Sequence, residues 1–195
     1  MLKTKIAVFV SGGGTNFEAL INAQENGKIP HGEIVLMVSS SRTAYALKRA
    51  ENHGIKSVVC SKKELGSQEK FEEEILKNLE ENDIQLIVLA GFMSILSNEF
   101  TKKYENRIIN IHPSLIPSFC GEGFYGLHVH EAALKKGVKV TGATVHIVNE
   151  IPDGGPIIMQ KAVYIEENDT PEILQKRVME QAEWKILPES VELMC

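Results

Sequence analysis

The stretch 5–21, KIAVFVSGGGTNFEALI, decides the fold. KIAVFV reads as a strand, SGGG as a turn, and NFEALINAQENG (16–27) as a helix that ends near Gly27. A strand that turns through glycines directly into a helix is the first half of a βαβ unit. Working outward, the alternation repeats. EIVLMVSS (33–40) is a second strand, AYALKRAENHG (44–54) a helix with Gly54 at its C′ position, and KSVVC (56–60) a short third strand. EKFEEEILKNLEEN (69–82) sets Phe71, Ile75 and Leu79 at i, i+4 and i+8, the spacing of an amphipathic helix. IQLIVLAG (84–91) is nearly all apolar, as expected for a strand covered on both faces. SILSNEFTKKYEN (94–106) reads as the next helix and RIINI (107–111) as the next strand. The pattern predicts an α/β, Rossmann-like parallel sheet with helices on both faces.

The character then changes. SFCGEGFYG (118–126) is a loop rich in glycine and aromatic residues, and HEAALKKG (130–137) is a short helix. VTGATVHIVN (140–149) and PIIMQKAVYI (156–165), joined by EIPDGG, predict an antiparallel extension of the sheet. In NDTPEILQKRV (168–178), Thr170 suits the N-cap and Pro171 the first helical position, with Leu174, Val178 and Ala182 on one face.

Composition narrows the function. The 195 residues carry a net charge of −5 and are 43% hydrophobic. With no basic tract and no interleaving of aromatic and basic residues, nucleic-acid binding is disfavoured. No apolar run reaches about 18 residues, so no spanning helix is expected. The N-terminal MLKTKIAVFVSGGG reads as the first strand and not as a secretory signal. Cys60, Cys120 and Cys195 are far apart, odd in number and without metal-ligand spacing, which suggests a reduced, cytoplasmic setting.

Open parallel sheets bind ligands outside the carboxyl ends of their strands. Three such ends carry polar or glycine-rich residues: SGGGTN (11–16), AGFM (90–93) and NIHP (110–113). SGGGTN has two readings. One is an anion cradle, with helix N-terminal N–H groups aided by Thr15 and Asn16. The other is a tight turn that needs glycine for positive φ. It is no Walker A loop, and Phe17 stands where a dinucleotide fingerprint has its third glycine, so an anion here would be a monophosphate.

In NIHPSLIP (110–117), Asn110 and His112 are two apart and point to the same side of a strand that Pro113 ends. Asp153 lies on the loop between the two long β-runs. A carboxylate beside His112 would favour the imidazolium and raise its pKa. An amide donor, a charged imidazole and a carboxylate suit a reaction that builds an oxyanion and then moves a proton. The alternatives are a core histidine satisfied by hydrogen bonds, and an aspartate serving only the Pro-Asp-Gly-Gly turn. His128-x-His130, with Cys120, raises the question of a metal. At a helix start, however, i and i+2 do not share a face, which favours a packing role. His146 shares a strand face with Thr144 and Val148, and either lines the site or packs there. Trp184 reads as a packing residue.

Taken together, VFVSGGGTNFEALI, VLAGFMSIL, IINIHPSLIP, VTGATVHIVNEIPDGGPIIMQKAV and RVMEQAEWKILP resemble the phosphoribosylglycinamide formyltransferases of purine biosynthesis, over almost the whole chain and in the right order. The resemblance implies formyl transfer from 10-formyltetrahydrofolate to the amino group of glycinamide ribonucleotide, without a metal. It maps the catalytic set onto Asn110, His112 and Asp153. It maps substrate contacts onto Gly14, Thr15, Asn16 and Glu183. Folate contacts fall on Gln68, Met93, Ser94, Ile95, Leu96 and Asn110, with the backbone of 149–153. Family members often carry a basic residue at the position of Ser94 and near Gln68, and both are neutral here. The loop 118–126 reads as a lid with glycine hinges.

The expected organisation is one domain over 1–195, with a nucleotide- and phosphate-binding half (1–110) and a catalytic, folate-binding half (111–195). Its partners are small molecules, with no nucleic acid and no membrane, in a monomer or homodimer. Two related enzymes share the Asn/His/Asp set. Formyltetrahydrofolate deformylase would add an N-terminal domain and methionyl-tRNA formyltransferase a C-terminal one, and the chain has room for neither. A non-catalytic nucleotide-binding module would need only the glycine turn.

Overall fold

Along β1 (Thr4–Val10) side chains alternate between two buried layers, with Ile6, Val8 and Val10 in one and Ala7 and Phe9 in the other. A strand buried on both faces must lie inside a sheet covered on both sides, and β1 does. The computed structural model describes residues 2–195. After β1 come α1 (Thr15–Glu25), β2 (Gly32–Ser39), α2 (Ala46–Asn52), β3 (Lys56–Val59), α3 (Lys62–Leu65), α4 (Gln68–Glu81), β4 (Leu86–Leu89), α5 (Asn98–Lys103) and β5 (Ile108–His112). The second part adds α6 (Leu127–Lys136), β6 (Val140–Ile147), β7 (Ile157–Tyr164), α7 (Pro171–Val178), a π-helical turn (Met179–Glu183) and α8 (Trp184–Met194).

The seven strands form one sheet in the order β3-β2-β1-β4-β5-β6-β7. β3 to β5 are parallel, while β6 runs antiparallel to β5 and β7 antiparallel to β6. The α/β class, the helices on both faces and the antiparallel extension are therefore as predicted. One layer packs Phe17, Leu20 and Ile21 of α1 with Leu174 and Val178 of α7 and Leu187 and Val191 of α8. The other packs Phe71, Ile75 and Leu79 of α4 with Phe100 of α5. The chain leaves β1 toward β2 on one side and later returns to β4 on the other. The topological switch, where such sheets bind ligands, thus lies between β1 and β4.

Some elements depart from expectation: α3 lies outside the predicted helices, and α6 starts at Leu127, ahead of the helix predicted over 130–137. The helix predicted over 94–106 is only Asn98–Lys103. Its start is held by Ser97, whose N–H and hydroxyl both donate to the buried Glu72 carboxylate, at 2.6 and 2.5 Å. The same hydroxyl accepts from Phe100 N at 3.2 Å as N-cap. At the other end of the chain Thr170 caps α7 as predicted, and Leu174, Val178 and Ala182 are buried together. The π-turn then takes up one residue more per turn than an α-helix. From its end the buried stripe runs through Ala182–Glu183, Ile186–Leu187 and Ser190–Val191.

Candidate active site

Gly14 caps α1 at φ +71°, and a Cβ there would lie 2.8 Å from the Cβ of Ala46. Only glycine fits, because the backbone is left-handed and α2 lies against it. Thr15 and Asn16 open the first turn of α1. Asn16 points inward, and its Nδ2 donates to Glu183 Oε2 at 2.6 Å. Burial drives the Glu183 carboxyl up to about 7, offset only in part by the Asn16 hydrogen bond. Near neutral pH it therefore titrates between neutral acid and carboxylate.

At the end of β5, the pairing with β6 sets Asn110 opposite His146 and His112 opposite Thr144. His146 Nδ1 donates to the carbonyl of Ile147 (2.9 Å), and its Nε2 lies 3.2 Å from the side-chain amide of Asn110. His112 is buried and has an acceptor at each ring nitrogen. Nε2 donates to the carbonyl of Phe119 (2.9 Å), and Nδ1 faces Asp153 Oδ2 at 3.5 Å. Asp153 Oδ1 also lies 3.4 Å from His146 Nε2, and Gly121 N donates to Asp153 Oδ2 at 2.8 Å. The loop 118–126 thus reaches both catalytic candidates through its backbone. It does so with Phe119 at φ +50°, an unusual conformation for a bulky residue, and Asp153 itself sits at φ +54°.

The expected upward shift of the His112 pKa is not what the structure gives. Burial outweighs the attraction of Asp153 and the Phe119 carbonyl and holds His112 below the usual histidine range. With the Phe119 carbonyl in this position, the resting imidazole is neutral at pH 7. Burial also pushes the Asp153 carboxyl up, but the His146 and His112 rings and the Gly121 N–H more than offset it, leaving Asp153 ionised.

Two cavities open at the strand ends. A cavity of about 290 Å³ is lined by Thr15, Asn16, Glu183, His112 and His130, with Met93, Gln175 and Met179. A second, of about 150 Å³, is lined by Leu89, Ser94, Ile95, Leu96 and His146, and by Val148 to Pro152. Phe92, Asn110 and Asp153 line both, so the amide and the carboxylate stand where the two spaces meet. Each cavity draws on residues from both 1–110 and 111–195.

The structure brings together most of the residues singled out from sequence. Asn110, His112 and Asp153 converge, as do Thr15, Asn16 and Glu183, with Gly14 shaping the turn beneath them. Ser94, Ile95 and Leu96 line the smaller cavity, whereas Met93 lines the larger one. Gln68 lies outside both cavities, in a neighbouring groove, and donates to the Ile95 carbonyl at 3.1 Å. His128 is exposed beside Glu131, Cys120 donates to the Pro117 carbonyl, and His130 is buried. Among the described residues no group of three or more His, Cys, Asp or Glu side chains is arranged to hold a metal ion. Nor is any helix among them long and apolar enough to cross a membrane. Sequence reasoning underweighted His146. Its place on the Thr144 face was legible, but its position opposite Asn110 follows from the β5–β6 register.

Residues 4–191 match the formyl transferase family. The chain is 39% identical to the phosphoribosylglycinamide formyltransferase of Haemophilus influenzae, over 94% of this chain and 84% of that protein. It is 46% identical to the trifunctional purine biosynthetic protein adenosine-3 of Gallus gallus over 99% of this chain, and spans 18% of that relative's length. Among solved structures, the phosphoribosylglycinamide formyltransferase of Bacillus halodurans superimposes with a TM-score of 0.89 at 39% identity, covering 98% of this chain and 95% of that one.

Proposed function

The chain belongs to the formyl transferase family, and on that premise we propose that it transfers the formyl group of 10-formyltetrahydrofolate to the amino group of N1-(5-phosphoribosyl)glycinamide, a step of purine biosynthesis. The observation that carries this reading is the meeting of two cavities at Asn110 and Asp153. A group transfer between two small molecules needs two binding spaces with the catalytic groups at their junction. The larger cavity has the glycine turn and first turn of α1 for a phosphate, and Glu183 for hydroxyls. The smaller has apolar walls from Leu89, Leu96 and Val148 and a polar backbone edge at Asn149–Asp153, which suit a flat heteroaromatic ring. The activities named for these relatives agree with this assignment.

The chemistry then follows from the residues. The donor supplies a formyl carbon, and the nucleotide's amine attacks it, moving the carbonyl electron pair onto oxygen. Asn110 donates an N–H to that oxyanion. His112, neutral at rest, accepts the proton shed by the attacking nitrogen. It becomes an imidazolium that the neighbouring Asp153 carboxylate stabilises. His112 then delivers the same proton to the departing folate nitrogen as the carbon–nitrogen bond breaks. For His112 Nε2 to do this, the Phe119 carbonyl must move off it and the single ring proton must sit on Nδ1, facing Asp153.

The test is a spectrophotometric assay of donor consumption with and without glycinamide ribonucleotide, with His112→Ala beside the wild type. Turnover should require the nucleotide. It should fall by roughly 10²–10⁴ in the variant, the usual share of a general acid–base, while the far-UV circular dichroism stays the same. Donor consumed without the nucleotide would mean hydrolysis, and none consumed in either case would overturn the reading.

A further inference from the structure

His130 has no exposed surface, and neither ring nitrogen has a hydrogen-bond partner. It lies on α6, whose other histidine, His128, faces solvent; two helical residues apart is about 200° around the axis. The inward ring lines the larger cavity beside His112. In the same cavity Asn16, its Nδ2 committed to Glu183, has a buried Oδ1 that is also unpartnered. Folded proteins satisfy nearly all buried polar groups, and a leucine would fill such a space without leaving any. Two orphaned polar side chains lining one cavity point to an occupant that completes them. His130 does not line the smaller cavity, so that occupant is not the ring of the folate donor.

We propose that His130 binds the amine-bearing nucleotide, its imidazole hydrogen-bonding a polar group of that substrate between Asn16, Glu183 and His112. The inference rests on the function proposed above and adds a binding residue to it. Burial and the nearby His112 lower the His130 pKa to about 4, so the ring is neutral in the working range and offers one donor and one acceptor. Its terminal torsion is soft, and a half-turn exchanges a carbon for a nitrogen at the cavity wall. A neutral ring of this kind recognises a hydroxyl or amide without adding charge next to His112.

The test compares the wild type with His130→Leu and His130→Gln, by steady-state kinetics in both substrates and by thermal melting with and without glycinamide ribonucleotide alone. Leucine removes two buried orphans, so the unliganded variant should melt about 2–4 °C higher. At the same time its KM for the nucleotide should rise roughly tenfold, the loss of about one good hydrogen bond, with the KM for the folate donor unchanged. Glutamine keeps a donor and an acceptor and should recover part of the nucleotide KM. The nucleotide-induced rise in melting temperature should shrink in the order wild type, Gln, Leu. A His130→Leu enzyme whose nucleotide KM stays within twofold of wild type would remove this assignment alone, as would equal changes in both KM values. A wild type that neither turns over nor is shifted by the nucleotide would remove the proposed function and this assignment together.

Discussion

A carboxyl group without access to water holds its proton more tightly than it does in the unfolded chain, and Glu183 is such a group. Its folded pKa is about 7 against an ordinary 4.5. Between those values the native state carries a proton that the unfolded state has released. The stabilisation is therefore fully present below about pH 4.5 and is lost as pH rises through about 7, amounting to about 3 kcal/mol over that span. Glu183→Gln keeps a neutral hydrogen-bonding group at every pH. Melting temperatures from pH 4.5 to 8 should then decline less steeply in the variant than in the wild type, and parallel curves would show that Glu183 does not titrate as argued. At this scale the sequence is legible in parts. The shared side of Asn110 and His112 follows from a period of two, which any strand obeys. The direction of the His112 shift does not follow from it. That direction depends on how deeply the ring is buried by chain segments remote in sequence, and no local pattern states it.

Within the glycine turn the three glycines are not equivalent. An added Cβ on Gly12 meets nothing within 4 Å, whereas on Gly14 it runs into the backbone and side chain of Ala46, at a left-handed φ of +71°. Gly12→Ala should leave the melting temperature within about 2 °C of wild type, since a surface change without a packing cost stays near ±0.5 kcal/mol. Gly14→Ala should cost about 1–3 kcal/mol from strained backbone and displaced packing. Because α1 begins there, it should also raise the nucleotide KM at least tenfold by pushing the Thr15–Asn16 turn away from α2. Equal melting temperatures for the two variants would refute the packing argument. Most elements were legible because apolar periodicity and caps are local signals: Thr170 with Pro171 marked the start of α7 correctly. The over-long helix at 94–106 shows the limit. Ser97 is a good cap, but what selects it over Ser94 is the carboxylate of Glu72, 25 residues earlier in the chain. The π-turn was equally invisible, since its extra residue interrupts the very period used to read a helix.

At the scale of the whole molecule, the alternation of strands and helices was enough to predict the parallel sheet and its covering. The strand order was not legible, because β1 lies between β2 and β4 through pairings that span the chain. That order bears on how the molecule unfolds. Although 1–110 and 111–195 differ in character, β5 pairs with strands of both parts, and α7 and α8 pack on the same layer as α1. With no apolar layer belonging to one half alone on that face, unfolding should be one cooperative event. The only tryptophan, Trp184, belongs to the second part and borders surface grooves along α1. Phe71 belongs to the first part, fully buried on the opposite face of the sheet. Phe71→Ala should cost about 3–5 kcal/mol. In a urea titration it should lower the midpoint seen by Trp184 fluorescence as far as the midpoint seen by far-UV circular dichroism. A Trp184 transition left in place while the circular dichroism signal moves would mean that the second part holds together without the first. The shared sheet would then be a junction between two folding units and not the core of one.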